Sequence, residues 1–159
     1  MGNVTIRKAV PKDVPQMLQM IKELATYEKA PNEVVVTEQE LLEDGFGDNP
    51  VYFCYIAEKE DNVVGMALCY YKYSTWKGRC IYLEDIIVKE AERGNGIGKK
   101  LLQTVIRKAQ KEKVRRLEWQ VLDWNEPAIN FYKKFQTRFD DEWINCKLTY
   151  DQLQNFKFE

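Results

Sequence analysis

Arg93-Gly94-Asn95-Gly96-Ile97-Gly98-Lys99-Lys100 is the stretch whose reading decides how this chain folds. Before it, Cys80 to Val88 has the character of a strand. After it, Ile97, Leu101, Leu102, Val105, Ile106 and Ala109 recur at helical spacing, with Lys99, Lys100, Arg107, Lys108 and Lys111 off that stripe. The octapeptide is therefore a strand-to-helix junction. Three alternating glycines let backbone N–H groups converge on one point, and the helix N-terminus adds partial positive charge. This predicts a pyrophosphate cradle formed by Arg93, Gly94, Asn95, Gly96, Ile97, Gly98 and Lys99. It is not a Walker A loop, because Arg93 stands where the first glycine belongs and Lys100 where Ser or Thr belongs. Nor is it a dinucleotide fingerprint, since the third glycine comes one residue early and the loop does not follow the first strand.

Upstream of the junction, Val51, Phe53, Tyr55 and Ala57 alternate with other residues. The polar turn Glu60-Asp61-Asn62 leads into a second run, Val63 to Tyr73, and Cys80 to Val88 completes an antiparallel meander. Earlier still, Val4 to Val10 reads as a strand. Pro11 opens a helix striped by Val14, Met17, Leu18, Ile21, Leu24 and Ala25. Thr37 and Glu40 fit a capping box that starts a short second helix, which Gly45 is placed to end. Downstream come a strand over Arg116 to Leu122, a helix capped by Asn125 with Pro127 in its first turn, and closing strands at Arg138-Phe139 and Trp143 to Leu148. The order β-α-α-β-β-β-α-β-α-β-β predicts an α/β fold. Its central sheet is mixed and mostly antiparallel, with helices on both faces, in a single domain over residues 1–159.

Composition narrows the chemistry. The 159 residues include no histidine, which removes Ser-His-Asp triads, His-metal sites and His bases together. Lys and Arg total 24 against 25 Asp and Glu, so the basic excess expected of a nucleic-acid or anionic-lipid binder is missing. Cys54, Cys69, Cys80 and Cys146 have neither zinc nor disulfide-framework spacing and read as free thiols of a reducing, cytoplasmic setting. The Val63 to Tyr71 run is too short to span a bilayer, and the first residues lack an apolar signal region. The expectation is therefore no metal, no membrane and no nucleic acid.

Arg93, Gly96 and Gly98 also satisfy the pattern [QR]xxGx[GA], and with the surrounding elements the chain resembles the GNAT acetyltransferases. A narrower likeness extends from about Val4 to about Tyr150. Phe46 to Pro50, Tyr73 to Arg79, Tyr82-Leu83-Glu84-Asp85, and Asp123 to Ala128 with Phe131-Tyr132-Lys133 resemble the spermidine/spermine (diamine) acetyltransferases. Ser74-Thr75-Trp76-Lys77-Gly78 is closer to their thialysine-acetylating branch. The resemblance implies a homodimeric enzyme that uses acetyl-CoA. It places a bulge after Tyr-Leu-Glu-Asp, at Ile86, Ile87 and Val88, against the pantetheine arm, and the 93–99 loop on the pyrophosphate. Asn125, Glu126, Pro127 and Ala128 would line the cofactor's other side. Tyr132 matches the catalytic tyrosine, while Tyr27, Glu28, Glu84, Glu118, Trp119 and Gln120 match the amine pocket. Gln136-Thr137 replaces the family's usual Gly-Ala, and the turn at Glu60-Asp61 is short.

The residue types suit that chemistry on their own terms. A primary amine of pKa about 10.4 attacks only when neutral, so a carboxylate base is useful. Glu84, ending a strand beside Asp85, is the candidate, its pKa raised by burial next to another acid. A thiolate of pKa about 8.5 can be protonated by a phenol of about 10, the role expected of Tyr132. Glu28, Glu33, Asp44, Asp48, Glu84 and Asp85 would together suit a cationic substrate. The expected activity is transfer of acetyl to a primary amine of a small polyamine, diamine or thialysine-like compound. The alternatives are protein or peptide N-acetylation and a non-catalytic acetyl-CoA-binding module.

Overall fold

The computed structural model describes residues 3–158. Backbone contacts divide the chain into two compact units, Met1–Gln120 and Val121–Glu159. The first holds a five-stranded sheet of β1 (Val4–Lys8), β2 (Phe53–Lys59), β3 (Asn62–Ser74), β4 (Gly78–Val88) and β5 (Leu117–Glu118), in that spatial order. Pairing is antiparallel through β4, and β5 joins parallel to β4. A parallel neighbour needs a crossover, and α3 (Ile97–Lys111) supplies it.

The β2–β3 hairpin turns tightly because Glu60 and Asp61 both take left-handed conformations, φ 50° and 62°. That backbone twist matches the twist of the flanking strands. Gly65 and Met66 then show which helix lies on which side. A side chain at Gly65 would meet Leu101 of α3 at 3.3 Å and the Ile87 carbonyl at 2.8 Å. Met66, pointing the other way, belongs to a core built from α1 (Val14–Tyr27) and α2 (Glu38–Phe46). That core holds Val14, Met17, Leu18, Met20, Leu41, Cys54, Ile56 and Ile87. Helices therefore cover both faces of the sheet, and the α/β architecture with a mostly antiparallel sheet matches expectation.

Several local expectations need correction. Pro11 opens a 3-10 turn, Pro11–Asp13, and the α-helix begins only at Val14. The turn is held by buried Asp13, whose carboxylate accepts from the Arg7 guanidinium at 2.7 and 2.9 Å and from Val10 N–H at 2.8 Å. The Thr37/Glu40 capping box is present, but α2 runs to Phe46 and is closed by Gly47, whose N–H donates to the Glu43 carbonyl at 3.0 Å. Gly45 serves packing instead: a Cβ there would lie 2.3 Å from the Tyr52 ring. The strand expected over Arg116 to Leu122 shrinks to Leu117–Glu118.

The second unit carries α4 (Glu126–Lys133) and α5 (Tyr150–Gln154). No strand forms at Arg138-Phe139 or Trp143 to Leu148, and residues 138–150 are exposed. Alternating apolar residues make a strand only where they gain a pairing edge, and among the described residues this segment pairs with no strand. A capping box at Thr149 and Gln152 starts α5 instead. Among the described residues no helix is long and apolar enough to cross a membrane.

Candidate active site

The site is organised by an irregularity in β4. Leu68 pairs with Asp85 and Cys69 with Leu83, which leaves Glu84 as an extra, unpaired residue. Such a bulge re-aims side chains and releases backbone groups from the ladder. It falls within Tyr82-Leu83-Glu84-Asp85, earlier than the position after this motif that the resemblance implies. Ile86, Ile87 and Val88 resume regular pairing with Ala67, Met66 and Gly65.

The bulge separates the fates of two adjacent acids. Glu84 is exposed, while Asp85 is half-buried. Burial, then the charges of Glu84 and Glu28, raise the Asp85 carboxyl from 3.8 to about 6. The buried acid beside another acid is thus Asp85, one residue beyond the expected Glu84. Glu28, just past the end of α1, is also pushed up by burial. Glu84 acts on its other neighbours: burial, the charge of Glu84 and a hydrogen bond to it raise the Tyr70 phenol. Tyr70 stacks on Tyr82 with ring centroids 5.1 Å apart. Burial and the surrounding acids, Glu84 first, lift the Tyr82 phenol to about 12.

Beyond β4, a 3-10 turn (Glu90–Glu92) leads to the glycine loop. Gly94 and Gly96 have φ 80° and 77°, conformations that side chains disfavour. A Cβ at either would meet nothing within 4 Å, so both face open space. Gly96 is the N-cap of α3, a helix of 15 residues, and no side chain caps that first turn. Open left-handed glycines and a helix start without a side-chain cap leave N–H donors for an anion, which fits a pyrophosphate. The Arg93 Nε donates to the Val88 carbonyl at 3.1 Å, and its guanidinium lies 5.4 Å from the centre of the Tyr27 ring. Asn95 Nδ2 donates to the Glu92 carbonyl at 3.3 Å. Ile97 is buried and Lys99 exposed in the first turn of α3, which also holds Gly98.

Tyr27, Glu28, Asp85 and Arg93 are thus linked, the first to the last by ring–cation contact and the middle two by charge. Glu118 has other engagements. It pairs with Tyr82 across the sheet, and its carboxylate lies 3.5 Å from Lys72 Nζ and 3.2 Å from Arg116 Nε. The Arg116 contact lacks hydrogen-bond geometry, and Glu118 Oε2 is buried without a hydrogen bond among the described residues. Trp119 is half-buried and Gln120 exposed beyond β5. None of these expected residues lines the cavity of about 340 Å³ formed by Phe53, Tyr55, Tyr71 and Lys108 with their neighbours. Among the described residues no cluster of potential metal ligands is present.

In the second unit, Asn125 caps α4 by accepting from Ala128 N–H at 3.3 Å, and Glu126 and Pro127 form the first turn. Tyr132 is buried, with 6% of its surface exposed, and its carbonyl accepts from the Thr137 hydroxyl at 2.8 Å. Gln136 takes φ 56°, a left-handed position usually given to glycine, so the turn after α4 survives the Gln136-Thr137 replacement.

Sequence reasoning missed Asp85 as the perturbed acid, and it missed Tyr70. A period of two along β4 gave no hint of an extra residue at Glu84.

The profile of the Acetyltransferase (GNAT) family matches residues 16–136 of this chain. The chain belongs to the GNAT acetyltransferase family. Among curated relatives of this GNAT chain, the thialysine N-epsilon-acetyltransferase of Bos taurus is 45% identical over 141 residues, covering 84% of this chain and 83% of that protein. The spermidine/spermine N(1)-acetyltransferase-like protein 1 of Homo sapiens is 39% identical over 134 residues, covering 80% of this chain and 19% of that longer protein. A solved aminoglycoside acetyltransferase from an uncultured soil metagenomic sample superposes with a TM-score of 0.76 at 18% identity. It covers 92% of this chain and 95% of that one, a likeness of fold.

Proposed function

We propose that this GNAT acetyltransferase transfers acetyl from acetyl-CoA to a terminal primary amine of a small aminoalkyl substrate, such as a polyamine, a diamine or a thialysine-like amino acid. The observation that carries this reading is a single strand–loop–helix unit of opposite preferences. The β4 bulge presents Glu84 and Asp85, near Glu28, to a cation, and eight residues on from Asp85 the 93–98 loop presents N–H donors to an anion. The names of the relatives support a small amine substrate.

When bound, acetyl-CoA supplies an activated acetyl thioester. Arg93, Gly94, Asn95, Gly96, Ile97, Gly98 and Lys99 would hold its pyrophosphate, and Ile86, Ile87 and Val88 would flank its pantetheine arm. Asn125, Glu126, Pro127 and Ala128, in the second unit, are proposed as further cofactor contacts. Glu84, facing solvent, receives the substrate ammonium. Asp85 behind it, held near 6, is ionised at neutral pH yet basic enough to accept the proton. Tyr27, Glu28, Glu118, Trp119 and Gln120 shape the amine pocket, and Tyr132 donates a proton to the leaving thiolate.

The assembly we propose is a homodimer in the cytoplasm. Trp143, Ile144, Tyr150 and Phe158 are at least 70% exposed, a large apolar area for a partner copy to cover. Light scattering should give twice the chain mass of 18.8 kDa. A monomer at micromolar concentration argues against the dimer.

Mass spectrometry after incubation with acetyl-CoA and a panel of free amines and peptides tests the activity. Acetylated spermidine, diamine or thialysine is the expected product. Acetylated peptide N-termini alone, or CoA binding without any product, would replace this reading with peptide acetylation or a binding module respectively.

A further inference from the structure

Lys59, the last residue of β2, reaches across 33 positions of sequence to the turn that enters the glycine loop. Its Nζ donates to both Glu92 carboxylate oxygens, at 3.1 and 3.0 Å. Both side chains are largely shielded, 28% and 22% exposed. Glu92 ends the Glu90–Glu92 turn immediately before Arg93, and its carbonyl accepts from Asn95 within the loop. The same turn is moored at its start, where the Lys89 N–H donates to the carbonyl of Val64 at 2.9 Å. Val64 is itself the extra residue of a bulge in β3, because Ala57 pairs with Gly65 and Glu58 with Val63.

From this we infer that Lys59 is a positioning and charge-neutralising residue for the anion loop, one that sets its affinity for the phosphates of acetyl-CoA without touching them. The inference rests on the reading of the 93–98 loop as the pyrophosphate site. A carboxylate one residue from Arg93 is harmful there in two ways. It repels an incoming dianion, and it is itself an anion that the guanidinium and the loop N–H groups would attract. Lys59 removes both effects by holding the two Glu92 oxygens against β2. Arg93 is then left over Tyr27, anchored to the Val88 carbonyl.

The test compares Lys59→Met, Lys59→Arg, Glu92→Gln and the double variant Lys59→Met/Glu92→Gln in the full chain. Calorimetry with CoA is run beside steady-state kinetics. An uncompensated charge beside a dianion near solvent corresponds to about a fivefold change in affinity. Lys59→Met should therefore raise the Kd for CoA and the KM for acetyl-CoA about fivefold, with kcat and the amine KM unmoved. The double variant and Lys59→Arg should return to wild-type values. With acetyl-pantetheine, which lacks the pyrophosphate, Lys59→Met and wild type should not differ.

Wild-type CoA affinity in Lys59→Met, a double variant as weak as the single one, or an equal defect with acetyl-pantetheine would each overturn the inference. Gly96→Val separates it from the reading beneath. Weak CoA binding in Gly96→Val with normal binding in Lys59→Met overturns the role of Lys59 alone, whereas normal binding in both overturns the loop assignment itself. If Lys59→Met does not fold, Glu92→Gln decides: CoA affinity at or above wild type supports the inference, and weaker binding refutes it.

Discussion

Replacing Asp85 by Asn should stabilise the protein while impairing it. The substitution keeps the shape of the neutral carboxyl and removes its ability to ionise. Burial and the neighbouring charges of Glu84 and Glu28 lift Asp85 from 3.8 to about 6, so the native state binds its proton more tightly than the unfolded chain does. Between those two values the native state holds more protons, and stability must fall as pH rises. The decline begins near pH 4 and is complete above about pH 6. At about 1.36 kcal/mol per pH unit, the full effect is about 3 kcal/mol, which partial exposure and solvent screening reduce to about 1–2 kcal/mol. Urea unfolding of wild type and Asp85→Asn at several pH values measures it. The two should coincide near pH 4, and the variant should gain progressively until about pH 6 and keep its advantage at pH 8. In kinetics, wild-type kcat/KM for an amine should rise through an apparent pKa near 6, and the variant should lose that limb along with most of its activity. A variant no more stable than wild type at pH 8, or a stability difference that does not change with pH, would refute the assignment of Asp85 as the strained, functional acid.

Three other perturbations test separate parts of the structure. Gly96→Val forces a branched side chain to φ 77° at the start of α3 and should weaken CoA binding at least tenfold by calorimetry in a folded protein, about 1.4 kcal/mol or more. Tyr132→Phe keeps the buried ring and deletes the hydroxyl; kcat should drop by about 10²–10⁴-fold while CoA affinity is retained. Gly45→Ala drives a methyl group to within 2.3 Å of the Tyr52 ring and should lower stability by about 1–3 kcal/mol in denaturant unfolding, with activity per folded molecule unchanged.

Much of the fold was readable because its signals are local. Alternation over Val51 to Val88 marks the meander, and a two-residue polar turn with both residues left-handed needs nothing from the rest of the chain. The helical stripe from Ile97 to Val105 is buried as its spacing requires. Asn125 caps α4 through its own side chain. The candidate site divides in two. The glycine loop was legible because left-handed φ values and a helix start are short-range features. Which of the two adjacent acids is buried was not, because Glu84 and Asp85 are equivalent by composition and position.

The sequence by itself determined the order of strands and helices through β5 and α4, the place of the glycine loop, and the exclusion of histidine chemistry. Each depends on residues a few positions apart, where backbone conformation and side-chain type act directly. The tertiary structure alone decided which acid is buried, because the bulge exists only in the register between β3 and β4. It likewise decided that Gly45 accommodates Tyr52 while Gly47 ends α2. It also left Trp143 to Leu148 without a strand, since an alternating pattern becomes a strand only when another backbone offers an edge. Burial and pairing belong to neighbours distant in sequence, and the same side chain is an exposed anion or a raised, proton-holding acid according to what the fold places against it.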